Sequence, residues 1–229
     1  MKYGKRLKEA YASVEKGKLY SIDEALEILK ANAKAKFNES VDIAVQLGVD
    51  PKQSDQMVRG AVSLPAGIGK TLRVAVFAKG PKADEALKAG ADMIVDETVE
   101  QDIANGKLNF DRLIATPDMM GVVGKYGKIL GPRGLMPNPK LGTVTLEITE
   151  AVKAAKAGKV QFKVDPTGIV HAGIGKVSFE NKDLKENAIA FVKALVAVKP
   201  ASSKGLYLKK VSLSTTQGIG VKVSVSSVA

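Results

Sequence analysis

The chain has 229 residues, 45% hydrophobic and 26% charged, with 35 Lys and Arg against 24 Asp and Glu for a net charge of +11. Such a chain is long and apolar enough for one large or two modest cores, which argues against global disorder, and no apolar run nears the roughly 18 residues of a membrane span. The absence of cysteine excludes disulfides, thiol nucleophiles and thiolate metal sites. The charged opening Met1-Lys-Tyr-Gly-Lys-Arg-Leu-Lys8 lacks the apolar stretch of a secretory signal, so a cytoplasmic protein with no membrane partner is expected.

Leu7, Ala10, Tyr11 and Val14 share one helical face and predict a helix over 5–16. Ser21-Ile-Asp-Glu24 reads as a capping box opening a second helix that turns Ala25, Leu26, Ile28 and Leu29 inward. The period then becomes two. Val41, Ile43, Val45 and Leu47 predict one strand, and Val58, Gly60, Val62 and Leu64 a second, expected to pair antiparallel across Asp50–Gln56. Beyond Pro65-Ala-Gly-Ile-Gly-Lys70 come short apolar strands at 72–77, 93–95, 113–115 and 144–146. Helical stretches at 82–89, 97–106 and 118–125 alternate with them, which predicts a mostly parallel sheet. The Gly- and Pro-rich run 125–142 reads as a basic loop through which no helix passes. After Ala157-Gly-Lys159, strand alternation resumes at Val160, Phe162 and Val164. Asp165-Pro-Thr-Gly168 is a turn, and 169–171 and 176–179 continue the sheet. Asn181 is expected to cap a helix over 182–198 that buries Leu184, Ala188, Phe191, Val192 and Leu195. Strands at 206–214 and 221–225 close the chain through Thr215-Thr-Gln-Gly-Ile-Gly220.

Pieces of similar character therefore flank a block of different style. The economical reading is a two-domain α+β and α/β protein. A discontinuous α+β domain (1–67 plus 159–229) is interrupted by an inserted Rossmann-like three-layer α/β domain (68–158), the two joined by a two-strand hinge. The inserted block holds 13 basic and 11 acidic residues, net +2, whereas the flanking segments carry 22 and 13, net +9. No acid follows Glu186, while six lysines from Lys193 to Lys222 remain. That asymmetry favours nucleic acid over a small acidic substrate.

Enzymatic motifs fare badly. Gly67-Ile-Gly-Lys-Thr71 mimics the end of a phosphate-binding loop, but Leu64 stands where its first glycine is needed and a strand follows instead of a helix. No G-x-G-x-x-G follows the first strand of the middle block, so that sheet implies no cofactor. His171, the lone histidine, has no thiol or serine elbow to serve. Asp84-Glu85 and Asp96-Glu97 sit at helix starts. No catalytic residues and no metal ligands are assigned. RNA contact has better candidates: Lys34, Lys36 and Phe37 before the first strand, Thr215-Thr-Gln-Gly218 between the last two, and Asp165-Pro-Thr-Gly168. Phe37 taken alone is more often a core aromatic than a stacking platform. Few aromatics and no Trp favour folded RNA read by shape, backbone and 2′-hydroxyls. The competing readings are a nucleotide-binding α/β enzyme built on the middle block and a generic duplex binder.

Asp50-Pro…Ser54-Asp-Gln-Met-Val-Arg-Gly60, Ala115-Thr-Pro-Asp118, Leu130-Gly-Pro-Arg-Gly-Leu-Met-Pro-Asn-Pro139, Phe162…Thr167-Gly168…His171 and Thr215-Thr-Gln-Gly218 together resemble the bacterial family of large-subunit ribosomal protein one, in order from about residue 3 to 225. The resemblance implies a structural, non-enzymatic protein of the ribosome's mobile stalk that binds folded large-subunit rRNA. It also implies help in releasing deacylated tRNA from the exit site and repression of its own operon mRNA. Implied RNA contacts are Lys36, Phe37 and Ser40, then Thr216, Gln217 and Gly218, with Asp165, Thr167 and His171 in a further matching segment. Family members often carry Met where Gln217 stands. No cofactor is implied, and a monomer is expected when free.

Overall fold

A computed structural model describes residues 4–15 and 17–228, with the side chain of Glu97 left out. In the N-terminal segment, helix α1 (Lys5–Ala12) is followed by α2 (Ile22–Asn32), strand β1 (Ser40–Leu47) and β2 (Arg59–Ser63). The middle segment runs β3 (Val74–Phe77), α3 (Pro81–Lys88), β4 (Met93–Ile94), α4 (Glu97–Ala104), β5 (Arg112–Ala115), α5 (Met120–Lys125), α6 (Gly127–Leu130) and α7 (Ile148–Lys156). The C-terminal segment holds β6 (Lys159–Lys163), β7 (Ile169–Lys176), α8 (Asn181–Ala197), β8 (Leu208–Thr215) and β9 (Gly220–Val223). The chain divides into two compact units, Met1–Gly69 with Val160–Ala229, and Lys70–Lys159. Mixed helices and sheets make both.

The first unit is built on a four-stranded antiparallel sheet in the order β7-β1-β8-β9. β1 lies between β7 and β8, and its alternation buries Val41, Ile43, Val45 and Leu47 on one face and leaves Ser40, Asp42, Ala44 and Gln46 half exposed on the other. Helices α2 and α8 cover the apolar face. Ile22, Ala25, Leu26 and Leu29 of α2 and Leu184, Ala188, Phe191, Val192 and Leu195 of α8 join one core with the strands. The capping box forms as expected: Ser21 Oγ accepts from the Glu24 N–H, and the Glu24 carboxylate accepts from the Ser21 N–H. β2 pairs with β6 in a separate two-stranded ribbon. Gly60 is required there, because a Cβ would lie 2.7 Å from the ring of Phe162, which packs edge-on against Phe191. Asn187, fully buried on α8, accepts from the Ala66 N–H and donates to Gly67 O and Ile174 O. It thus ties down the turn by which the chain leaves this unit.

In the second unit β3 lies between β4 and β5, parallel to both. All four residues of β3 are buried, as a strand covered on both faces demands. Val74 and Val76 face Ile148, Val152 and Ala155 of α7 and Ala86 of α3. Ala75 and Phe77 share the opposite core with Ile103, Met119, Val123 and Leu130.

Several expectations are corrected. β1 and β2 are not neighbours, since both edges of β1 are taken by β7 and β8. The Asp50–Gln56 connection instead folds on itself: Asp50 N–H donates to Gln56 Oε1 and Lys52 N–H to Asp50 Oδ1. The helix expected to reach residue 16 ends at Ala12, and residue 16 lies outside the described residues. The strand at 144–146 shrinks to one bridge, Val144 with Ala115. The two pieces at 169–171 and 176–179 are one continuous β7, ending at Lys176. Asn181 is not a cap but the first residue of α8, preceded by extended Glu180. The run 125–142 does hold a helical turn, α6, because its hydrogen bonds close before Pro132 removes a donor.

Candidate nucleic-acid interface

Six of the nine candidate residues come together at one end of the four-stranded sheet. β1 begins there at Ser40, opposite Lys176, the last residue of β7, while Val41 stands opposite Thr215, the last of β8. The bend bearing Lys36 and Phe37 and the turn bearing Thr216, Gln217 and Gly218 are therefore adjacent by register. Reciprocal hydrogen bonds join them: Ser40 N–H donates to Thr216 Oγ1 at 2.9 Å, and Thr216 N–H to Ser40 O at 3.1 Å. Lys176 Nζ donates to Ser40 Oγ at 2.8 Å. Lys36, Thr216 and Gln217 are exposed, and Phe37 presents half its surface (51%) to solvent. The core reading of Phe37 is thereby excluded. Gly218 sits where a Cβ would come within 2.0 Å of Thr215 Oγ1, so no other residue fits this turn unchanged.

Besides Lys176, two members of this cluster gave no signal in the sequence. Glu39 is only 1% exposed, yet its carboxylate accepts from the Gln217 N–H at 2.9 Å and from the Ala35 N–H at 3.3 Å. Burial pushes its pKa up, but those N–H donors, the Thr215 hydroxyl and the charge of Arg6 outweigh burial and hold it below the ordinary glutamate value. The Thr215 hydroxyl is buried and lowers the Glu39 pKa as a hydrogen-bond donor, though its geometry falls short of a full hydrogen bond. The second is Arg6, whose Nη2 donates to Gln217 O at 2.8 Å.

Asp165 and Thr167 lie elsewhere. They occupy the turn into β7, beside the far end of β1, where Leu47 N–H donates to Gly168 O. Eight residues of strand put that turn roughly 24 Å from the Ser40 end. Asp165 Oδ1 accepts from the N–H and hydroxyl of Thr167 and from the Ile169 N–H. The Ile169 and Thr167 donors depress its pKa, with the latter's hydroxyl prominent. A hollow of about 210 Å³ beside it is lined by Pro51, Met57, Val164 and Pro166, with Lys52 and Lys163 at its edge. His171 stands within β7 opposite Ala44, exposed, with Nε2 3.7 Å from Asp165 Oδ2. It faces the same sheet surface as Asp42, whose pKa is raised by burial against the pull of Lys176 and His171. The structure thus separates Asp165 and Thr167 from the first six, with His171 between.

Among the described residues no group of three or more His, Cys, Asp or Glu is placed to hold a metal ion, and no helix is long and apolar enough to cross a membrane. The surface is one of exposed cations, a half-exposed aromatic ring and hydroxyls, suited to phosphate, base and ribose. Comparison with known proteins agrees. Over 228 residues the chain is 58% identical to the protein named large ribosomal subunit protein uL1 of Paraburkholderia phytofirmans, covering all of this chain and 98% of that one. Residues 29–219 match the Ribosomal protein L1p/L10e family, whose members are structural and not enzymes. The chain belongs to that family.

Proposed function

We propose that this ribosomal protein grips a folded region of large-subunit rRNA through the unit made from its two ends, and that the Lys36–Ser40 and Thr216–Gly218 segments are the principal contact. The observation that carries this is their convergence through the paired Ser40–Thr216 hydrogen bonds, beside Lys176 and with the nearest carboxylate enclosed. Lys36 and Lys176 supply phosphate contacts. Phe37 offers an aromatic face to one base, and the Thr216 hydroxyl and the carbonyls of 217–218 meet ribose hydroxyls. Asp165, Thr167 and His171 form a second contact at the other end of the same sheet, long enough for structured RNA to span both.

The first unit is then a discontinuous α+β sandwich and the second a Rossmann-like insertion, joined at a hinge of two chain crossings. The protein works as a monomer in the cytoplasmic ribosome's mobile stalk. There it assists release of deacylated tRNA from the exit site, and off the ribosome it represses its own operon mRNA by binding an imitation of the rRNA site. No cofactor takes part. Titration of a folded stalk fragment of rRNA tests the contact. Thr216→Ala should weaken binding by about 1–3 kcal/mol, the loss of a hydrogen bond at an interface, while the protein stays folded with a melting point lowered only by the lost Ser40 N–H acceptor. Unchanged affinity would place the site elsewhere.

A further inference from the structure

Glu39 is a charged group buried directly beneath a surface read as phosphate-binding. By Coulomb's law alone a carboxylate there opposes RNA. Its geometry describes a different task. One oxygen takes the Ala35 N–H and the other the Gln217 N–H, so a single carboxylate bridges segments 178 residues apart. Its own carbonyl accepts from the Val177 N–H at 3.0 Å, which fixes the same residue to the end of β7. Arg6 closes the far side by donating to Gln217 O. The backbone N–H groups of 35 and 217 are otherwise loop donors with no strand to satisfy them.

We propose that Glu39 is a positioning residue of the RNA site, holding the 35–40 and 215–218 segments in one register before RNA arrives. The inference rests on the RNA reading above and deepens it. The enclosed charge is neutralised where it lies, by N–H donors and Arg6, so it organises the surface without presenting itself to phosphate. Preordering of this kind spares the complex the entropy of fixing two loops on binding.

The two roles predict opposite signs for Glu39→Gln. The amide keeps the volume, removes the charge and turns one acceptor into a donor facing an N–H. Positioning predicts affinity for the folded stalk rRNA fragment lower by about tenfold or more, the size of one lost internal hydrogen bond to a charged group. Mere charge removal predicts equal or tighter binding, which would overturn the proposal. Amide hydrogen exchange on the free protein reads the same point without RNA. Exchange should quicken at 35–40 and 215–218 while the β1, β7 and β8 interior stays protected; no local change would equally overturn it. Should Glu39→Gln fail to fold, Glu39→Asp serves: it keeps the charge but is one methylene too short to reach both donors, so weakened binding is expected and wild-type affinity refutes the role. Failure of the wild-type protein to bind the fragment would instead strike the RNA reading itself.

Discussion

Asp165 shows how a single carboxylate organises a turn and how that can be measured. Its pKa is depressed in the folded protein by the Ile169 N–H, then by the hydroxyl and N–H of Thr167. A depressed carboxylate adds stability that is fully present above its unfolded pKa of about 3.9 and is lost as pH falls through the lower folded value. Asp165→Ala should therefore melt below wild type near neutrality, and the gap should narrow as pH falls below the unfolded value of about 3.9. Paired thermal melts across that range check it, and a gap that widens in acid would contradict the sign. At this scale the sequence was informative where chemistry is local. Asp165-Pro-Thr-Gly168 and Thr215-Thr-Gln-Gly218 announce turns through residues two or three apart. Glu39, Lys176 and Arg6 were invisible because their partners Gln217, Ser40 and Gln217 lie 178, 136 and 211 residues away.

Elements with a strong internal period were legible. β1 matches its alternation residue for residue, the buried face of α8 matches its helical spacing apart from the added Asn187, and the Ser21–Glu24 box marks the start of α2. Pairing partners were not legible, because alternation fixes a strand's faces and says nothing about its neighbours. So β1 was matched to its nearest strand in sequence, when β7 and β8 flank it. Helix α7 was missed although Ile148, Val152 and Ala155 recur at helical spacing. The run Val144-Thr-Leu-Glu-Ile-Thr149, four of whose six residues are β-branched, reads as strand and masks its start. The Gly- and Pro-rich string is the most distinctive stretch of the chain, and the structure gives it a packing role: Leu130 is fully buried and Leu135 and Met136 lean on the same core. Leu130→Ala should cost the second unit about 2–5 kcal/mol, as truncations in a closed core do, and leave rRNA affinity near wild type. Denaturant titration with a binding assay on the same sample checks both; an affinity loss without destabilisation would make this segment part of the RNA contact.

For the molecule as a whole, charge and contact geometry agree on where RNA is held. The segments flanking residues 68–158 carry +9 of the net +11, and every residue of the Ser40–Thr216 cluster lies in the unit they form. The inserted unit has its own two cores on either side of a parallel sheet, so its removal leaves the other core intact. The most direct test replaces Lys70–Lys159 with a short linker and titrates the shortened chain against the folded stalk fragment at several salt concentrations. Affinity is expected within a few-fold of the intact protein. The same decline of log affinity with log salt is expected, about 0.7–0.9 for each phosphate contact on the scale set by nucleic-acid counterion release. A shortened chain that folds yet no longer binds, or binds without salt dependence, would contradict it.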